Sequence, residues 1–383
     1  MNDDKVRVHR GVGFLGVFVS LVVMGAASVH AVLFQSTGDP SYNTNAPSGT
    51  LTNSGWQYEG IWNTSTTVGN FHVGNFLGTP IAPQFFISAE HIFGTTNNVF
   101  VFNGVTYHPV AQFSTFDSDL TIWQVAETFP SYAPLYTSSN ESNSHVVVFG
   151  RGTQRGAPVV VSGQTNGWLW VEPSDGVQRW GENDVSSITN RGTGIGDLLR
   201  CTFDSGGGSN ECDTSDGDSG GGLFILDGGV WKLAGVNYDV DGPFSNTTAG
   251  TIPFSASLLD IRGLYQNVQP GVYTFISGPQ PVPSAFYCTR ISANMDWINS
   301  VINFTPGNDL KITSITTVGN DVQVSFSTGP TNRLYTIQST TNLTSGAWTT
   351  ITNSVPGTSG IVSVLDANAA AQPRRFYRVG LVQ

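Results

Sequence analysis

From Trp56 onward the chain is divided into short apolar segments, among them "PQFFISA", "NNVFVFNGVTYHPV", "LTIWQV", "HVVVFG", "APVVVSG" and "VWKLAGVNY", with turn-forming Gly, Asn, Ser, Thr and Pro between them. Runs this short, rich in Val, Ile, Phe and Tyr, fit antiparallel strands, whereas a helix of ordinary length needs a longer periodic stretch. No such stretch occurs before about residue 290. The sequence therefore predicts an all-β fold, as a barrel or a sandwich. One helix is expected over Ile291 to Ile302, "ISANMDWINSVI", where Ile291, Met295, Ile298 and Ile302 recur at helical spacing and Pro306-Gly307 ends the run. A domain boundary is set there. Beyond it, "DVQVSFST", "LYTIQST", "WTTITNS", "GIVSVLD" and "RRFYRVGLV" read as five strands of a small β-sandwich, with Val322, Val324 and Phe326 on one face.

The start of the chain is of another kind. Lys5, Arg7 and Arg10 precede the charge-free apolar stretch Gly11 to Val29, and the small residue Ala31 follows. This is the layout of a secretory signal peptide. A transmembrane anchor is the rival reading, because the stretch approaches the ~18 residues needed to span a bilayer. Its glycines and Ala31 favour cleavage. Residues 1–31 are therefore set aside as a signal peptide, and the mature chain is expected to be secreted, extracellular or periplasmic, with no membrane attachment. What remains exceeds the usual span of one core and is divided into residues 32–305 and 306–383.

A formal net charge of −11, with only 11% charged residues, argues against nucleic acid, which requires a basic face. The cysteines are Cys201, Cys212 and Cys288. An exported chain permits disulfides, and Cys201 with Cys212 can close a short hairpin around "FDSGGGSNE", leaving one cysteine over. No Cys-x-x-Cys or His-x-x-x-His spacing points to a metal, and no Gly-x-Gly-x-x-Gly after a strand points to a dinucleotide.

"GDSGGGLF", Gly217 to Phe224, has two readings. Gly, Asp and Ser favour tight turns, so a plain surface turn accounts for it. A nucleophile loop also accounts for it, since glycines let backbone N–H groups close around an oxyanion beside a serine hydroxyl. A serine at neutral pH needs a base, usually histidine. His91, in "FFISAEHIFG", would emerge at a strand end. The base needs a carboxylate to fix its tautomer. Asp119 opens "DLTIWQV" and directly precedes the apolar run, whereas Asp117 shares its face and remains the rival. The chain order His91, Asp119, Ser219 is that of the chymotrypsin β-barrels. Gly217 and Gly221 also satisfy Gly-x-Ser-x-Gly, but a strand rather than a helix follows.

"ISAEHIFG", "SDLTIWQV" and "DGDSGGGLF" resemble the histidine, aspartate and serine motifs of the trypsin-like (chymotrypsin-fold) serine proteases, and "YCTRISANMDWINSVI" resembles the helix on which such domains end. The likeness runs from about Trp56 to Ile302 and extends to bacterial secreted members. It implies a two-barrel chymotrypsin-like domain with a C-terminal helix, followed here by the small β-sandwich module. By the same resemblance, Ser219 attacks, His91 is base and then acid, Asp119 orients it, and the N–H groups of Gly217 and Ser219 form the oxyanion hole. The substrate is then a protein or peptide, and no metal or organic cofactor is needed. An esterase with the same triad and a catalytically inactive binding homologue are the alternatives.

This chain departs from the family at Glu90, Ile92 and Gly222, where alanine, cysteine and proline are usual. In the family a freshly cut N-terminal amine pairs with the aspartate before the serine, here Asp218, in a structural role. "SGWQYEG" offers no Ile-Val-Gly-Gly start, so an internal donor is expected for Asp218 and removal of the signal peptide is expected to suffice for activity. Asp213, six residues before Ser219, corresponds to the floor of the primary pocket and implies cleavage after Arg or Lys. Cys212 and Asp216 leave a shifted register open, and the opposite wall is expected from Asn237 to Asp239. The C-terminal module resembles the compact modules, closing near a "FYRV" strand, of many secreted bacterial proteins, and adhesion, attachment to a surface or another protein, or stabilisation is expected of it.

Overall fold

The computed structural model describes residues 32–64, 67–68, 71–72, 75–171, 174–303, 310–329, 333–358, 360–372 and 374–382. The expected signal peptide and the expected boundary near residue 305 lie outside them. Among the described residues the first strand is β1 (Leu33–Phe34), fully buried. Seven strands then form one antiparallel sheet: β2 (Gly60–Asn63), β3 (Phe76–Ala82), β4 (Phe85–Ser88), β5 (Val99–Phe102), β6 (Val105–Tyr107), β7 (Pro109–Ser114) and β8 (Thr121–Val125). Their order across the sheet is β6-β5-β2-β3-β4-β8-β7. A second set closes on itself as a six-stranded barrel: β9 (His145–Gly150), β10 (Arg179–Asn190), β11 (Asp197–Thr202), then β13 (Gly222–Asp227), β14 (Val230–Val240) and β15 (Ala285–Arg290), in the order β9-β10-β11-β15-β14-β13. The short β12 (Cys212–Asp213) stands outside the barrel and pairs with β1.

Alternation explains the cores. Trp62, Phe86, Phe100, Ile122 and Trp123 are buried in the sheet and are continuous with Phe149, Phe224 and Leu233 from the barrel, so one apolar cluster joins the two. Inside the barrel a second cluster is built from Val146, Val148, Leu199, Leu223 and Phe286. Burying a side chain of this size stabilises by roughly 1.5–3 kcal/mol.

The helix α1 (Met295–Ile302) begins later than periodicity implied. Ile291 N–H still donates to Ala234 O, extending the strand pairing, and Ser292–Asn294 form a single 3-10 turn. Asn294 then bonds Arg290 O and Ser118 Oγ, so that turn serves as a joint between the helix and the segment preceding β8.

The expected Cys201–Cys212 disulfide is not formed. All three cysteines are free buried thiols. The loop between Cys201 and Cys212 is fastened instead by Glu211, whose Oε1 accepts from Asp204 N at 2.7 Å and from Asn183 Nδ2 at 3.2 Å.

Among the described residues toward the C-terminus there are six strands, one more than expected. β16 (Ile312–Val318), β17 (Asp321–Ser327) and β20 (Ile361–Asp366) form one three-stranded sheet, and β18 (Leu334–Thr340), β19 (Thr349–Pro356) and β21 (Phe376–Leu381) another. Phe326, Tyr335 and Ile337 are the buried centre between them. β16 carries no alternation because Thr313 to Val318 are exposed on both faces, so no buried side marks it in the sequence. Among the described residues, no helix is long and apolar enough to cross a membrane.

Candidate active site

The register Thr121↔Ser88 puts the end of β4 beside the start of β8. His91 lies in the turn leaving β4, and Asp119 in the turn entering β8. Asp119 Oδ1 accepts from His91 N at 2.8 Å, and Oδ2 lies 2.7 Å from His91 Nδ1. Because a carboxylate can only accept, Nδ1 carries the proton and Nε2 is left as the acceptor. Nε2 lies 2.8 Å from Ser219 Oγ. Asp119 is buried, whereas Asp117 is exposed, so Asp119 is the carboxylate that reaches the imidazole. Tyr238 stands edge-on to the His91 ring at 5.7 Å.

Ser219 sits between β12 and β13, in a loop whose glycines are required by position. Gly217 has φ +94°, which a side chain rarely tolerates. At Gly220 a Cβ would lie 2.4 Å from Leu77 O of β3, so glycine lets the loop touch the sheet. The N–H groups of Gly217 and Ser219 take part in none of the hydrogen bonds among the described residues, whereas those of Asp218, Gly220 and Gly221 are all bonded to carbonyl oxygens. Two unpaired donors beside a hydroxyl form a pocket for negative charge.

Asp218 is buried, its carboxyl packed against Gly150 and Gly152 at the end of β9. Its Oδ1 accepts from Gly152 N at 2.6 Å, and its Oδ2 from Ser215 N at 2.8 Å and Ser215 Oγ at 3.1 Å. Val32 N–H donates to it as well. Burial lifts its carboxyl to about 6, against these bonds. Val32 stands far ahead of "SGWQYEG", and no motif of the sequence marks its contact with Asp218. An N–H donor leaves no side-chain signature.

A cavity of about 470 Å³ opens beside His91 and Ser219, walled by Thr214 to Asp218 on one side and Asn237 to Val240 on the other. Asp213 is not part of it. The residue is 1% exposed, and its carboxyl accepts from Ser284 Oγ at 3.1 Å and is raised by burial to about 7. Hydrogen bonds from the Ser284 and Ser257 side chains hold its carboxyl in the interior, and β1 pairs with β12 at Leu33↔Asp213. Three carboxylates line the cavity: Asp218, bonded to Gly152 and Ser215, Asp239, and Asp216, which is exposed to solvent and is raised by desolvation and by the neighbouring charge of Asp239. Asp239 itself is paired with Arg191. Asn237 was anticipated only as wall. It also clamps the loop, donating from Nδ2 to Phe149 O at 2.8 Å and Asp218 O at 3.0 Å.

No family model matches the chain, and no curated protein matches it. Among solved structures the chain is similar to neuropsin, described as a serine protease expressed in the limbic system of mouse brain, with 12% identity over 65% of this chain and 96% of that one, at a TM-score of 0.40.

Proposed function

We propose that this chain is a secreted serine endopeptidase with a chymotrypsin-like catalytic domain over residues 32–305 and an accessory module over 306–383. The observation that carries the reading is the continuous chain Asp119–His91–Ser219, with both hydrogen bonds under 3 Å and in the orientation a general base requires. Ser219 Oγ attacks the scissile carbonyl as its proton passes to His91 Nε2. The C–O bond forms and the carbonyl electron pair moves onto oxygen, facing the Gly217 and Ser219 N–H groups. Such a donor contributes about 3 kcal/mol to the barrier reduction in comparable sites. His91 then returns the proton to the leaving nitrogen as the C–N bond breaks. Water repeats the sequence to release the acyl group. Asp119 holds the tautomer and stabilises the imidazolium.

Preference for a basic side chain is assigned to Asp216 rather than to Asp213. A charge-assisted bond of this kind contributes about 1.5–3 kcal/mol, enough for a preference of roughly tenfold to a hundredfold over an apolar side chain. The reading is tested by Ser219→Ala, which should lower peptide hydrolysis by roughly a thousandfold or more. Turnover close to the parent chain would refute it.

A further inference from the structure

Glu59 precedes β2 and is buried where sheet and barrel meet. One of its oxygens reaches both: Oε1 accepts from Thr79 Oγ1 on β3 at 3.1 Å and from Gly222 N at the start of β13 at 3.2 Å. The other, Oε2, is buried with no partner. Gly222 is the third residue after Ser219, and the two between them are pressed against backbone. A Cβ at Gly220 would meet Leu77 O, and one at Gly221 would lie 2.1 Å from Phe149 O. The strand leaving Ser219 is therefore fixed by close approach to both halves, and Glu59 supplies the side-chain bond that ties it to the sheet.

We propose that Glu59, as a neutral acid, is the positioning residue that locks the Ser219 loop to the first sheet through the Gly222 N–H. The proposal rests on the reading of Ser219 as nucleophile. Since Oε1 accepts twice, the proton belongs on Oε2. The surroundings cannot support a carboxylate there. The space next to Gly222 is bounded by Phe224 of β13 and Leu233 of β14, Thr79 faces the carboxyl from β3, and Tyr58, on its own turn, stacks on Phe224. None of these is a cation. Burial raises the group to about 8, against the bonds from Thr79 and Gly222. Loss of the proton places an unpaired charge in an apolar seam, which draws in water or parts the strands. Either outcome displaces Gly222, and with it Ser219, relative to His91.

The test is the rate at which a fluorophosphonate labels Ser219, measured from pH 6 to pH 10 in the full chain, where the Val32 nitrogen facing Asp218 is an amide and adds no titration of its own. The parent should lose rate above about pH 8, tenfold per unit once the single group is ionised. Glu59→Gln keeps an acceptor for both bonds and has no proton to lose, so it should label at neutral pH and show no such alkaline fall. Glu59→Leu should label slowly at every pH. Thermal unfolding gives a readout independent of labelling. A carboxyl raised in the fold makes stability fall between its ordinary and its folded value, so Glu59→Gln should show a fall from pH 5 to 8 shallower by one proton. An alkaline fall that persists in Glu59→Gln overturns the role of Glu59 while leaving Ser219 as nucleophile. A parent whose Ser219 is unlabelled at every pH overturns the reading of the site, and the proposal with it.

Discussion

A single residue shows how local chemistry and tertiary placement separate. His91, Asp119 and Ser219 were legible because acyl transfer demands particular side chains, and each stands in a short motif at a strand end. Asp213 was legible as a carboxylate at a suggestive spacing, but spacing gives no account of Ser257 and Ser284, distant along the chain, which hold its carboxyl in the interior. Asp216 stands in the cavity wall three residues before Ser219. The two carboxylates make opposite predictions. Asp216→Ser should reduce cleavage after Arg or Lys by tenfold or more while leaving cleavage after Phe or Leu within a factor of about two. Asp213→Ser should leave the preference intact. A peptide library with varied P1 residues reads both, and loss of basic preference in Asp213→Ser alone would reverse the assignment.

At the scale of elements, the part least visible in the sequence is β1. Two residues are too short for periodicity, yet Val32, Leu33 and Phe34 are fully buried, and Arg155 Nη1 donates to Phe34 O at 2.8 Å and Gln35 O at 3.1 Å. Val32 is also strained, a β-branched residue with φ +51°. Such a conformation costs about 1–3 kcal/mol. Cleavage after Ala31 would remove that dihedral altogether and turn the amide N–H facing Asp218 into an ammonium. Asp218, raised to about 6 without a cation, would then fall below that value through ion pairing. A chain starting at Val32 should therefore label Ser219 at least about tenfold faster at pH 7 than one carrying residues 20–31 in front of it, a factor worth about 1.4 kcal/mol. Equal rates would show that β1 has no part in organising the loop. The strands themselves were mostly readable, since "HVVVFG" and "LTIWQV" alternate or run apolar where they enter the core. Side-chain joints such as Glu59, Asn237 and Asn294 were not, because their partners lie far away along the chain.

For the whole molecule, the buried carboxyls set the response to pH. Glu59 and Glu211 are raised to about 8, Asp213 to about 7 and Asp218 to about 6, in each case mainly by burial. Each binds its proton more tightly folded than unfolded, so stability falls as pH climbs from the ordinary carboxylate range to those values. Glu141, held low despite burial by Arg290 and Ser292, and Glu182, held low by His145, act in the opposite sense and lose their contribution in acid. The melting temperature should therefore peak near about pH 5 and decline toward pH 8, as the net charge of −11 also favours. A scan that rises steadily from pH 5 to 8 would contradict this. Composition made the all-β class and the acidic balance readable, but not which acids are enclosed, since enclosure depends on how sheet and barrel meet. The central claim is that Ser219 is an activated nucleophile. Its most direct test is fluorophosphonate labelling of the intact folded chain followed by mass mapping. The account predicts one adduct, on Ser219, that disappears in His91→Ala. No adduct, or one on another residue, would contradict it.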